Sequence, residues 1–226
     1  MTGRSYGHYC PVAQTLELVG ERWTLLIVRE LILGPMRFTD LNDALPGIPR
    51  NLLADRLRDL EAHGLVARRT LAPPAARTVY ELTDAGRGLV PVIADLARWG
   101  LSHLDPPGPD DEVSPAMAVL AGLAAHVRPD TASGDETYRL EVDGREFTLR
   151  LAGGDLSFGA AGAEPDLVVS TSAAVLLRLR AGAETVAKAV AAGRIRFTPD
   201  DPARMRRFLE RFDLPVPTPR RPKERA

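Results

Sequence analysis

One cysteine, two lysines and no long apolar run set the first limits on this 226-residue chain. With Cys10 alone no internal disulfide can form, and residues 1–12 hold no apolar core of an export signal, so a cytoplasmic location is expected. The longest uncharged apolar stretch, near residues 116–125, is far shorter than the roughly 20 residues a spanning helix needs, so no membrane partner is expected either. Lysine occurs only at Lys188 and Lys223, which leaves arginine as nearly the whole cationic complement. A codon bias would have the same effect, so the arginine preference carries no functional weight. The formal net charge of -1 is not the strongly basic balance of many nucleic-acid binders, and any contact with a polyanion has to use a local patch. The four histidines, His8, His63, His103 and His126, lack the paired spacing of a metal site and read as solvated or capping residues. With no nucleophile, acid–base pair or metal cluster in view, neither an enzyme nor a cofactor is expected.

What is present is ordinary for a folded soluble chain, 45% hydrophobic and 26% charged, and long enough for two domains. Residues 105–112 (DPPGPDDE) disfavour helix and strand alike, which marks a linker over 105–113 between domains at 1–104 and 114–214. Residues 215–226 are polar and proline-rich and read as a disordered tail. In the first half Val12, Leu16 and Val19 recur at helical spacing, as do Trp23, Ile27 and Leu31, and Gly34-Pro35 stops the second helix. A short helix capped by Thr39 carries Leu41 and Leu45 inward, Pro46-Gly47 breaks it, and Pro49 suits the first turn of the next. Two strand-like segments, 65–70 and 78–82, flank a loop with Pro73-Pro74. Thr83 then caps a last helix reaching toward Leu104, with a bend expected at Pro91.

Placing residues 49–63 at about 100° intervals groups Leu53, Leu57 and Leu60 on one side, with Leu52 at its margin. Asn51, Ala54, Asp55 and Arg58 fall on the opposite side and Arg50 projects from the first turn, the end that a recognition helix presents to base edges. Arg50, Asn51 and Arg58 are therefore the candidate base contacts, since arginine forks onto guanine and asparagine onto adenine. Arg56 lies in the apolar sector and reads as an internal ion-pair or capping residue. Arg68, Arg69 and Arg77 in the two-stranded wing, and Arg37 before the short helix, supply charge of the kind phosphate contact needs. Leucines at helical spacing beneath solvated arginines would occur in any small helical domain. The order of elements is the more specific signal: helix, proline-glycine turn, helix, two-stranded loop, capped helix.

Cys10-Pro11, residues 20–23, Arg37-Phe38-Thr39-Asp40-Leu41, residues 53–64 and Tyr80-Glu81-Leu82-Thr83-Asp84-Ala85-Gly86 resemble the HxlR family of bacterial regulators. The resemblance runs from about residue 8 to residue 104 and extends to Pro91 and Trp99. It implies a winged helix-turn-helix homodimer, joined through the first and last helices of the domain, with two recognition helices in successive major grooves of a near-palindromic operator. Pro49 departs from the family, which usually carries serine or a similar polar residue there, so a side-chain cap on the recognition helix is missing. Some family members sense oxidants or electrophiles through a cysteine matching Cys10; the alternative is a small buried residue.

In the second half an alanine-rich helix over 114–127 precedes a hairpin signal, residues 138–142 and 147–151 around Asp143-Gly144, in which Leu140 faces Phe147 and Tyr138 faces Leu149. Strands follow at 155–159 and 167–170, helices at 171–180 and 184–192, a strand at 194–198, and a helix ending in Met205, Phe208, Leu209 and Phe212. This order, with residues 166–170 and 191–197, resembles the sterol-carrier-protein-like domain. That likeness implies an α/β layered fold in which Leu176, Leu179, Phe197, Phe208 and Phe212 either line an apolar tunnel or simply fill the core. The expectation for the whole chain is an α+β, dimeric, duplex-DNA-binding regulator whose second domain senses a hydrophobic small molecule or extends the dimer. The competing expectation is a lipid-carrier module with the helical half used only for dimerisation.

Overall fold

The computed structural model describes residues 6–7, 9–70, 77–108, 111–128, 134–159 and 164–214. The wing loop with Pro73-Pro74, His8 and the expected tail at 215–226 lie outside them. Two compact units divide the chain, residues 1–96 and 97–226, a division that falls eight residues before the proline-rich segment at 105–112.

The first unit opens with α1 (Pro11–Val19) and α2 (Thr24–Ile32). Trp23, expected inside the second helix, instead caps it with φ +78°, a left-handed backbone that ends one helical run and redirects the next. Ile27, Val28 and Leu31 of α2 are buried. Next come α3 (Phe38–Ala44) and α4 (Arg50–Ala62). The cap of α3 lies at Arg37, two residues ahead of the expected Thr39, because Asp40 reaches back to accept the Arg37 backbone N–H at 3.2 Å. Pro49 occupies the cap position of α4 itself, and α4 starts with no side-chain cap. Leu41, Leu45, Leu53, Leu57 and Leu60 are all at most 2% exposed, so α3 and α4 turn inward the leucine faces that helical spacing predicts.

Strands β1 (Val66–Thr70) and β2 (Thr78–Leu82) pair antiparallel with Val66 opposite Leu82, and Met36 exchanges two backbone hydrogen bonds with Tyr80 on the far edge of β2. Thr83 caps as expected, its Oγ1 accepting the Gly86 N–H at 3.1 Å. The helix that follows does not run on and bend at Pro91. It stops after one turn, α5 (Asp84–Arg87), and restarts as α6 (Val90–Leu101), where Pro91 sits in the first turn and its missing N–H costs nothing. Gly86 is required here, because a Cβ on it would lie 2.0 Å from the Leu65 carbonyl oxygen.

The second unit begins its regular structure with α7 (Pro115–Gly122), capped by Ser114 and shorter than the expected 114–127, with a tight turn over Ala124–His126 completing the segment. A five-stranded sheet follows, ordered β5-β4-β3-β6-β7, from β3 (Glu136–Val142), β4 (Arg145–Ala152), β5 (Asp155–Phe158), β6 (Leu167–Thr171) and β7 (Ile195–Thr198). The hairpin register is the expected one, Leu140 opposite Phe147 and Tyr138 opposite Leu149, with Asp143 at φ +47° and Gly144 at φ +76° making the two-residue turn. β3 and β6 pair in parallel. Between β6 and β7 lie α8 (Ala173–Arg180) and α9 (Val186–Ala191), and α10 (Pro202–Arg211) ends the described chain; Ser172, Thr185 and Asp201 cap these three helices.

Alternation gives this sheet one apolar face, with Tyr138, Leu140, Val142, Phe147, Leu149, Leu151, Leu167, Val169, Ile195 and Phe197 buried. The side chains of Leu176, Leu179, Phe208 and Phe212 are buried too, and the Phe208 ring stands 4.9 Å from Phe212, 5.3 Å from Tyr138 and 6.1 Å from Phe197. Arg180 fastens two helix ends at once, donating to the Gly122 carbonyl at 2.8 Å and to the Asp213 carbonyl at 3.0 Å. No helix among the described residues is long and apolar enough to cross a membrane.

Candidate nucleic-acid interface

The helix-turn-helix sets α4 with its leucine face inward, and its polar face is open. Asn51 and Arg58, seven residues apart on one face, are exposed, and Arg50 is exposed at the start of the helix. Arg50 does not hang free: its guanidinium carbon lies 5.7 Å from the centroid of the Phe38 ring, a cation–π contact that ties the head of α4 to the start of α3. Arg58 pairs with Asp55 one turn earlier. Arg56 does what its place on the wheel suggests, bonding Asp59 at 3.2 Å and, across to the α1–α2 junction, Glu21 at 3.1 Å and the Arg22 carbonyl at 3.4 Å.

The wing arginines are exposed in the same way. Arg68 stands opposite Tyr80 and Arg69 opposite Val79 in the ladder, and Arg69 reaches diagonally to Glu81 at 2.9 Å. Arg77 precedes β2 and is exposed. Arg37 pairs with Asp40, and this contact holds the Asp40 carboxyl below its ordinary pKa, with the charge of Arg77 adding to the effect. Three of the seven predicted DNA-contacting residues, Arg37, Arg58 and Arg69, are thus each engaged by a carboxylate. Composition gave no hint of this pairing, but the i, i+3 spacing of Arg37 with Asp40 and of Asp55 with Arg58 would have exposed it.

Two further features bear on the site. α1 presents Val12 and Leu16 to solvent and α6 presents Val92, Leu96 and Trp99, at spacings of i, i+4 and i, i+4, i+7. Cys10 is a free, half-buried thiol at the cap position of α1 and makes no side-chain cap bond. Inside the domain Glu30 is wholly buried, a charge that hydrophobic spacing did not flag, and the Arg29 guanidinium binds it at 2.7 Å.

A family model described as HxlR-like helix-turn-helix matches residues 18–107. YvaP of Bacillus subtilis, named an uncharacterised HTH-type transcriptional regulator, is 34% identical over 98 residues, covering 43% of this chain and 91% of its own length. The chain belongs to the HxlR-like family. YodB of the same species, an HTH-type transcriptional regulator, is 33% identical over 98 residues, 43% of this chain and 88% of YodB. An uncharacterised HTH-type transcriptional regulator of Mycobacterium tuberculosis is 48% identical over 99 residues, 43% of this chain and 62% of the relative. The first unit of this HxlR-like chain is accordingly a helix-turn-helix module of the transcriptional-regulator type, and the family match ends at residue 107.

Proposed function

We propose that this HxlR-like protein is a cytoplasmic homodimeric repressor or activator that binds a near-palindromic operator, with Arg50, Asn51 and Arg58 at base edges and Arg37, Arg68, Arg69 and Arg77 at phosphates. The observation that carries this reading is the division of α4 into a buried leucine face and an open face bearing Arg50, Asn51 and Arg58, beside a wing with exposed arginines. Supporting the dimer are the exposed stripes on α1 and α6, apolar side chains that a lone protomer leaves in water. A purified full-length protein should bind duplex DNA with an affinity that falls steeply with salt and should protect two half-sites about one helical turn apart. Indifference to duplex DNA would favour the carrier reading.

For the second unit we propose a sterol-carrier-like control module. Helices alternating with a sheet that is apolar on one face support this reading. Leu176, Leu179, Phe197, Phe208 and Phe212 are the residues a hydrophobic effector would meet, and because all five are buried and the Phe208 ring is in contact with Phe197 and Phe212, entry requires them to repack. A fluorescent fatty acid that the protein displaces from no site, at any concentration up to its solubility, would remove the effector from this account. Cys10 is the candidate for oxidative control, checked by whether Cys10→Ser still releases DNA on oxidant treatment.

A further inference from the structure

We propose that Asp55 is a specificity-determining residue of the interface, acting through Arg58 as a positioning residue. This rests on the DNA-binding reading above and deepens it. Asp55 and Arg58 stand one turn apart on the open face of α4, and their side chains are 49% and 69% exposed, so both meet whatever docks there. The recorded bond joins Arg58 Nη2 to Asp55 Oδ1. A guanidinium has five N–H donors, and one bond to a carboxylate leaves enough for a two-pronged contact with guanine O6 and N7.

What the carboxylate does follows from charge and entropy. An exposed ion pair of this kind contributes little to folding, so stability does not account for it. A free arginine samples many rotamers and gives much the same attraction to any phosphate it reaches. Tethered to Asp55, it has fewer rotamers to lose when it meets a guanine, and its charge is partly spent, which weakens its pull on phosphate at every sequence. The Asp55 carboxylate also brings a negative charge toward the DNA, which is unfavourable beside phosphate at every sequence. The two charge effects act on all DNA and the restraint helps only at a guanine, so affinity for arbitrary DNA falls more than for one sequence.

Asp40 makes the contrast. It pairs with Arg37 in the same way, but it also holds the Arg37 backbone N–H at the head of α3, so its carboxylate has a structural task. Asp55 pairs with the Arg58 side chain and, unlike Asp40, holds no backbone N–H at a helix start, so Asp55→Asn should leave α4 folded.

The test uses the full-length protein and a duplex selected by the wild type from a random pool, compared with variants of that duplex in which each G·C pair is replaced in turn and with a scrambled duplex. Wild type, Asp55→Asn, Arg58→Ala and the double variant are titrated on each. Wild type should lose about tenfold in affinity when one G·C pair per half-site is replaced. Arg58→Ala should abolish that loss. Asp55→Asn should shrink it to about threefold or less, in keeping with a lost restraint on the arginine that makes the two-pronged base contact, while binding the scrambled duplex more tightly. In the Arg58→Ala background Asp55→Asn should leave base discrimination unchanged, an outcome that mere charge removal does not produce. Full discrimination by Asp55→Asn, or an equal effect with Arg58 absent, would overturn the role of Asp55 alone. Failure of the wild type to bind any duplex would overturn the DNA reading and this role with it.

Discussion

The two units handle apolar surface in opposite ways. In the first, large apolar side chains stand in water at Val12, Leu16, Leu18, Leu26, Val92 and Leu96, whereas in the second, once Trp99 and Leu104 at and just past the end of α6 are set aside, Val190 is the exposed large hydrophobic among the described residues. The second unit closes its core on itself: ten sheet residues face inward, and four aromatic rings, Tyr138, Phe197, Phe208 and Phe212, interlock at edge-on or tilted angles. The first unit buries only what is needed to hold α2, α3, α4 and the wing in register. It leaves two apolar stripes whose burial requires something further. On the proposed dimeric reading a second copy covers these stripes, so that stability and symmetry arise together.

The comparison breaks first where packing is tightest. Phe208→Ala removes a wholly buried ring at the meeting point of three others and should cost the second unit about 3–5 kcal/mol, read as a shift in its chemical denaturation midpoint. The first unit should keep its own transition; a concerted loss of both would mean that the units fold as one. Leu57→Ala, the matching change in the helix-turn-helix, should cost about 2–5 kcal/mol in the first unit.

Next in size is the effect of the exposed stripes. Leu96→Glu alters a side chain that is 49% exposed, so the protomer should stay folded by circular dichroism. Sedimentation should show a dimer of the wild type falling to monomer, with DNA affinity down by more than tenfold. A folded variant that remains dimeric would show that α6 is not the joint.

Smaller again are the wing and helix changes. Arg69→Ala should weaken binding to all duplexes alike and reduce the salt slope by about one, whereas Arg58→Ala should act at one base position.

The smallest effect is on pH. Burial, with the nearby guanidinium of Arg180, lowers the pKa of His126 to about 4 from an ordinary 6.5, and its Nε2 is buried without a hydrogen-bond partner among the described residues. The folded unit therefore keeps His126 neutral where the unfolded chain protonates. Stability from this group is present above pH 6.5 and is lost as pH falls from 6.5 toward 4. A melting temperature of the second unit that drops over that window, and drops less in His126→Gln, is the expected result. Equal slopes in the two proteins would assign the drop to other groups.

Much of this was legible in the chain itself, for local reasons. Asp143-Gly144 between two alternating runs sets a hairpin register, and Leu53, Leu57 and Leu60 at helical spacing separate the inner from the outer face of α4, because both signals depend on residues near in sequence. The same local logic misplaced the cap of α3, where Asp40 rather than Thr39 supplies the bond, and ran α5 and α6 together across Gly88. The parallel pairing of β3 with β6 joins residues about 29 apart, as Tyr138 with Leu167, and no local pattern encodes it. At the interface the arginines were visible by type, and the i, i+3 spacing of Arg37 with Asp40 and of Asp55 with Arg58 carried a signal of their partners, whereas the pairing of Arg69 with Glu81 across the wing became clear only from side-chain geometry. That geometry turned a list of cations into three restrained pairs and a pair of exposed apolar stripes.

The most direct test of the central claim is the affinity of the full-length protein for a selected duplex across a series of salt concentrations. Four phosphate-directed arginines in each of two protomers, partly offset by their carboxylates, predict that the logarithm of affinity falls linearly with the logarithm of salt, with a slope between about -4 and -7. A slope near zero, or no binding at low salt, would contradict it.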